Sequence, residues 1–213
     1  TNLTTLDLAG NPLSQEGIDT HAPNFKARGV RVNYSVSFPD SGVDAVVREA
    51  LGKARKDNIT TEELATLEKL DAYDRGIQDL TGLEHATNLT SLYLDRNQIS
   101  DLSSLSTLTS LTTLWLNDNQ ISDLSPLSSL TGLTTLYLWG NQINDITALG
   151  FLTSVITISL ATNQISDISA LSALTSLTLL PLNDNQIIDI SPLAALTSLS
   201  EVRLQSNEIS DIS

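Results

Sequence analysis

The residues best suited to chemistry in this chain of 213 residues are aromatic. Tyr93, Trp115 and Tyr137 follow one another at intervals of 22 residues, and Tyr73 and Trp139 stand two residues beyond positions of the same series. Both tryptophans and three of the four tyrosines belong to this set. Flat apolar faces repeated in this way anchor a partner or stack on a sugar ring. Asp95, Asn117 and Asp118 lie beside them and could supply oriented hydrogen bonds. Aromatic residues also favour strands and stabilise one another across them, with no ligand involved. Recognition is the favoured reading, with a protein and a glycan both open as ligands, and these eight residues are the candidate binding patch.

Catalytic chemistry has little to work with. His21 and His85 fall in different segments, with no metal-ligand spacing and no adjacent Ser or Cys nucleophile. There is no cysteine, hence no disulfide or thiolate, and no glycine-rich phosphate loop. Glu62 and Glu63 form a carboxylate pair at the start of an expected helix, where they complement its dipole. The sequence therefore predicts neither an enzyme nor a metal or cofactor. The formal charge is −14, and beyond Arg75 only Arg96 and Arg203 are basic. Nucleic acid, whose binding requires clustered cations, is not an expected partner. No apolar run approaches the roughly 20 residues of a membrane span, so membrane insertion is not expected.

The elements that must position the aromatic residues come from a repeat. Asn97, Asn119, Asn141, Asn163, Asn185 and Asn207 are spaced by 22 residues, and Asp101, Asp123, Asp145, Asp167, Asp189 and Asp211 keep the same interval. The unit reads L-x-x-L-x-L-x-x-N-x-I-x-D, with copies starting at Leu89, Leu111, Leu133, Val155, Leu177 and Leu199 and a degenerate copy at Leu67. The last two apolar residues of L-x-x-L-x-L alternate like a strand with one buried face. One such turn cannot bury its own Leu and Ile, but stacked turns can. The return segments are too short for long helices and are expected to be 3₁₀ turns or extended backbone. An inward Asn can serve the unpaired main chain where the strand turns away, and each Asp is expected to cap turn N–H groups. One carboxylate per turn does not make the oxygen cage that calcium needs.

These residues resemble the bacterial 22-residue leucine-rich-repeat class of internalin-like surface proteins, over about Leu67 to Ser213. The stretch Phe38 to Gly52 resembles the helical N-cap of such proteins, with Val43, Val46, Val47, Ala50 and Leu51 at helical spacing, followed by a capping box at Thr60 and Glu63. The resemblance implies a right-handed α/β solenoid with a parallel β-sheet on its concave face and a helical N-terminal cap. It also implies a secreted or cell-surface location, recognition through the concave sheet, and no cofactor or catalytic residue.

Residues 67–213 are thus expected to form the solenoid, its array incomplete at the C-terminus, and residues 36–66 its cap. Residues 1–35 are expected to be the closing repeat and C-terminal cap of a preceding array. Within them Leu3, Leu6, Leu8 and Asn11 match a repeat, Ser14 to Arg28 reads as a short helix that Pro23 is placed to break, and Val30 to Tyr34 reads as a strand. Two explanations stand. The chain is a stretch of a longer protein with tandem arrays, of module period about 218 residues. Otherwise copies join head to tail as a surface filament or sheath. In the second case Leu3, Leu6, Leu8 and Asn11 meet Leu199, Val202, Leu204, Asn207, Ile209 and Ile212.

Overall fold

A computed structural model describes residues 3–11, 13 and 15–210. Its main body is one sheet of seven parallel strands, each three residues long and in chain order: β5 (Lys69–Asp71), β6 (Ser91–Tyr93), β7 (Thr113–Trp115), β8 (Thr135–Tyr137), β9 (Thr157–Ser159), β10 (Leu179–Pro181) and β11 (Glu201–Arg203). The register equals the sequence period: Leu92 pairs with Leu114, Leu114 with Leu136, and Leu136 with Ile158. The chain returns through short 3₁₀ turns such as Ser125–Ser129 and Thr147–Phe151. Each turn gives its Leu and Ile to one continuous core, where Leu114, Leu116, Ile121 and Leu127 are fully buried. The leucine-rich solenoid expected from the repeat is therefore the observed architecture.

The asparagine column is a ladder of backbone acceptors and donors. Asn119 donates through Nδ2 to Leu94 O at 3.0 Å and Leu116 O at 3.1 Å, and its Oδ1 accepts from Ile99 N at 3.0 Å. Asn97, Asn141, Asn163, Asn185 and Asn207 repeat these bonds with their own neighbours. A buried carbonyl or N–H at each inner bend is thereby satisfied in a place water does not reach, while Asn207 at the sheet edge is half-buried. On the convex side Asp101, Asp123, Asp145, Asp167 and Asp189 each accept the N–H two residues on, at 2.8 Å. The sixth member, Asp211, lies outside the described residues, as does Ile212. At Asp101 the Ser103 hydroxyl and then the Ser103 N–H hold the carboxyl below its ordinary pKa.

The first turn is covered by helix α2 (Ser41–Leu51), which turns Val43, Val46 and Val47 inward. Asp40 caps it, accepting from Gly42 N and Val43 N through one oxygen and from Gln78 N and Asp79 N through the other. One carboxylate thus fastens the cap to the first repeat. Burial alone would raise its pKa, but these four donors outweigh burial and keep it lowered. Gly42 permits the approach, since a Cβ there would stand 2.8 Å from Ile77 Cγ1 and 2.9 Å from Arg75 O. The capping box is formed as read: Thr60 Oγ1 accepts from Glu63 N, and Glu63 Oε2 accepts from Thr60 N, at the start of α3 (Thr61–Leu64).

Ahead of the cap, β1 (Thr5–Asp7) pairs in parallel with β2 (Arg31–Asn33), and α1 (Gln15–Lys26) connects them. One expectation needs correction. Helix α1 runs through Pro23, and the turn after it closes normally with Ala27 N donating to Pro23 O. Pro23 forfeits its own N–H and crowds the carbonyl one turn back, a cost offset by the packing of Ile18, Ala22 and Phe25 with Val32 and Tyr34. His85 sits in a 3₁₀ turn of the first repeat, its ring edge-on to Tyr34 at 5.5 Å. The strand β3 (Ser35–Val36) pairs antiparallel with β4 (Ile59–Thr60), tying the N-terminal segment to the cap. No helix among the described residues is long and apolar enough to cross a membrane.

Candidate ligand-binding face

Alternation within each short strand decides which side chains face the concave side. With Leu92, Leu114 and Leu136 in the core, Tyr93, Trp115 and Tyr137 face outward in adjacent strands, paired in register. Their rings touch: Tyr93 meets Trp115 edge-on at 4.9 Å, and Trp115 meets Tyr137 at 5.3 Å and 40°. Tyr73 and Trp139, at 46% and 41% exposure, stand out from the face. Between them lies a depression of 530 Å³ whose lining includes Tyr73, Tyr93, Trp115, Asn117, Asp118 and Trp139.

The eight candidate residues do not play equal parts. Tyr137 packs on Trp115 but does not line the depression. Trp115 is half-buried between two tyrosines and forms the floor; its Nε1 is buried and has no hydrogen-bond partner. Asp95 lines the depression but is only 6% exposed, and its Oδ1 accepts from Asn117 N at 2.9 Å. Asn117 Oδ1 in turn accepts from Trp139 N at 2.9 Å. These two polar groups hold neighbouring turns in place as well as lining the depression.

Three lining residues escaped the candidate patch: Lys69, Asp71 and Arg96. Lys69 Nζ lies 4.9 Å from the Tyr93 ring centre, and the Arg96 guanidinium lies 5.7 Å from that of Tyr73 and 3.6 Å from Asp118 Oδ2. Arg96 and Asp118 occupy the position before the ladder Asn, where φ is positive at 56° and 52°. A left-handed residue at each of these two bends accompanies the placement of both charges at the rim, and the residue types alone carry no signal of that conformation. The depression thus presents aromatic faces ringed by charges of both signs, a chemistry of binding.

Burial, reinforced by the nearby Asp118 charge, raises the pKa of Asp95 above the ordinary aspartate value. The folded state therefore holds the charged form less well than the unfolded chain does. This penalty is absent below the unfolded pKa, grows as pH rises toward the folded pKa, and is complete above it. Asp95→Asn, which keeps the acceptor oxygen, is expected to raise the melting temperature at pH 7. The gain should vanish below a pH of about 4. Melting curves of both proteins across pH check this; a gain that persists in acid would contradict it.

Comparison with known proteins agrees with this architecture. The family described as leucine-rich repeats (2 copies) matches residues 65–107 and 109–152, and two further leucine-rich-repeat families match residues 131–187 and 1–20. Among solved structures, internalin C2 of Listeria monocytogenes is 32% identical over 78% of this chain and 94% of its own, with a TM-score of 0.50. A second internalin of that organism, inlF, is 33% identical over 82% of this chain and 65% of its own, with a TM-score of 0.54. A curated relative, internalin J of Listeria monocytogenes, is 40% identical over 60 residues, which are 28% of this chain and 7% of that protein. The fold and its concave face define a leucine-rich-repeat protein. Within that class, the chain belongs to the bacterial internalin-like family.

Proposed function

We propose that this chain is a non-catalytic recognition module, secreted or displayed on a bacterial surface, that holds a protein partner in its concave depression. The observation that carries the reading is the aromatic floor and rim spanning successive turns, with Trp139 and Tyr73 exposed around a cavity of 530 Å³. The same place retains a buried unpartnered Trp115 Nε1 and a desolvated Asp95. Both lower stability, and groups kept at such a loss are expected where function requires them. Lys69, Arg96, Asp71 and Asp118 give the rim both charges, which suits the mixed charges of a protein surface. A glycan is the second ligand class, since stacked aromatic faces also take sugar rings.

Selection from a displayed peptide library, run beside a glycan array, tests the reading. Peptides enriched on the native chain should be lost on Trp139→Ala and kept on Phe151→Ala, which removes a still more exposed aromatic ring from the convex side. Binders indifferent to Trp139, or dependent on Phe151, would overturn it. Glycan binders that depend on Trp139 would move the ligand to the second class.

A further inference from the structure

The concave depression does not stop at the first strand of the array. A second depression of 500 Å³ lies beyond Tyr73, over the cap, and shares Asp71 and Tyr73 with the first. Glu49 and Ala50 of α2 line it, with the buried Val46 and Leu70 at its floor and Arg75 at its rim. Tyr73, which stands out from the face, is thus a saddle between the two depressions. Tyr73, Asp95, Asn117 and Trp139 hold the same place in four successive turns. The two aromatic ends are therefore three strand spacings apart, about 14 Å, a span that about four extended residues cover.

The charges along this path are unequally matched. Arg96 pairs with Asp118 at 3.6 Å, and Arg75 with Glu49 at 3.2 Å. Asp95 is buried and accepts from Asn117 N. Asp71 is exposed, stands where the depressions meet, and forms no ion pair among the described residues. Its Oδ1 accepts from Tyr73 N at 3.2 Å. The chain's own cations already use the ring faces nearby: Lys69 Nζ lies 4.9 Å from the Tyr93 ring centre, and the Arg96 guanidinium 5.7 Å from that of Tyr73. Four carboxylates face three cations across the two depressions, in a chain of formal charge −14. Such a field draws a basic partner.

We propose that the two depressions form one groove for an extended basic segment of a partner protein, lying across the strands from Trp139 to the cap, with a Lys or Arg side chain seated at Tyr73 and Asp71. The assignment rests on the concave depression being the binding face and names what that face takes. The apolar stem of the basic side chain would lie on Tyr73 and Ala50, and its charged head would reach the Asp71 carboxylate. Helix α2 then belongs to the binding surface as well as covering the first turn.

Peptides selected on the native chain and lost on Trp139→Ala test the groove. Ala50→Trp, which fills the cap depression, should weaken their capture about tenfold or more. Ala45→Trp, exposed on α2 away from the depression, should leave capture within about twofold of native. Replacing the basic residues of a peptide by Gln should weaken capture by the native chain about tenfold, but by no more than about twofold on Asp71→Asn, which keeps the acceptor for Tyr73 N. Trp139-dependent peptides that lack basic residues, that ignore Ala50→Trp, or that lose equally on both chains when their basic residues are replaced would overturn the groove and leave the concave reading standing. A library that yields no Trp139-dependent peptide would overturn both.

Discussion

Asn119→Ala is expected to lower stability by about 3–5 kcal/mol, since three buried main-chain groups lose their partner at about 1–3 kcal/mol each. The groups are Ile99 N, Leu94 O and Leu116 O. Asn119 is 8% exposed, in mid-array with turns on both sides, so water cannot replace the amide. The shift in melting temperature should be about 6–20 °C for a chain of this size. Asn207→Ala removes the same bonds from Ile187 N, Leu182 O and Leu204 O, but in a half-buried turn at the sheet edge. There solvent can take over, and a loss of about 1 kcal/mol is expected. Paired thermal unfolding of the two variants checks the contrast. Equal losses would mean that the column does not act by satisfying buried backbone.

The second large effect separates the two tryptophans. Trp115→Ala should both destabilise the protein, by about 2–4 kcal/mol, and abolish peptide capture. The indole is packed between Tyr93 and Tyr137 and forms the floor on which the depression rests. Trp139→Ala should leave the melting temperature within about 2 °C of the native value, because its ring is 41% exposed. It should nonetheless weaken capture by about 30-fold or more, the size of effect expected for an aromatic anchor. Melting curves and binding isotherms for both variants, measured with one selected peptide, distinguish floor from rim. If Trp115→Ala melts like the native protein, the ring stack is not structural; if Trp139→Ala binds normally, the rim is not the contact.

The array was legible in the sequence because its physics is periodic. Leu114 and Leu116 had to turn inward for any stack to bury them, and Asn119 had no partner other than the main chain. That sets the strand faces and puts Tyr93, Trp115 and Trp139 on the concave side. Depth was not legible. Trp115 is lowered by neighbours on both sides, Tyr137 is left outside the depression, and Asp95 is sealed by the next turn, since each depends on how adjacent turns lean on one another. Arg96 was missed because a basic residue one place before an Asn reads as ordinary polar surface. Only the left-handed backbone at that position swings it toward Tyr73 and Asp118. Pro23 does not end α1 because Ile18, Ala22 and Phe25 pack with Val32 and Tyr34, a tertiary contact that local spacing does not reveal.

The claim on which the rest turns is that ligand sits against the concave tryptophans. The chain holds only two tryptophans, and both line the depression, so their emission reports that place alone. Acrylamide quenching of the free protein should resolve an accessible population, Trp139, and a protected one, Trp115. Saturation with a selected peptide is expected to shield the accessible population and shift the emission to shorter wavelength. Emission and quenching that stay unchanged at saturation, with binding confirmed independently, would place the ligand elsewhere on the molecule.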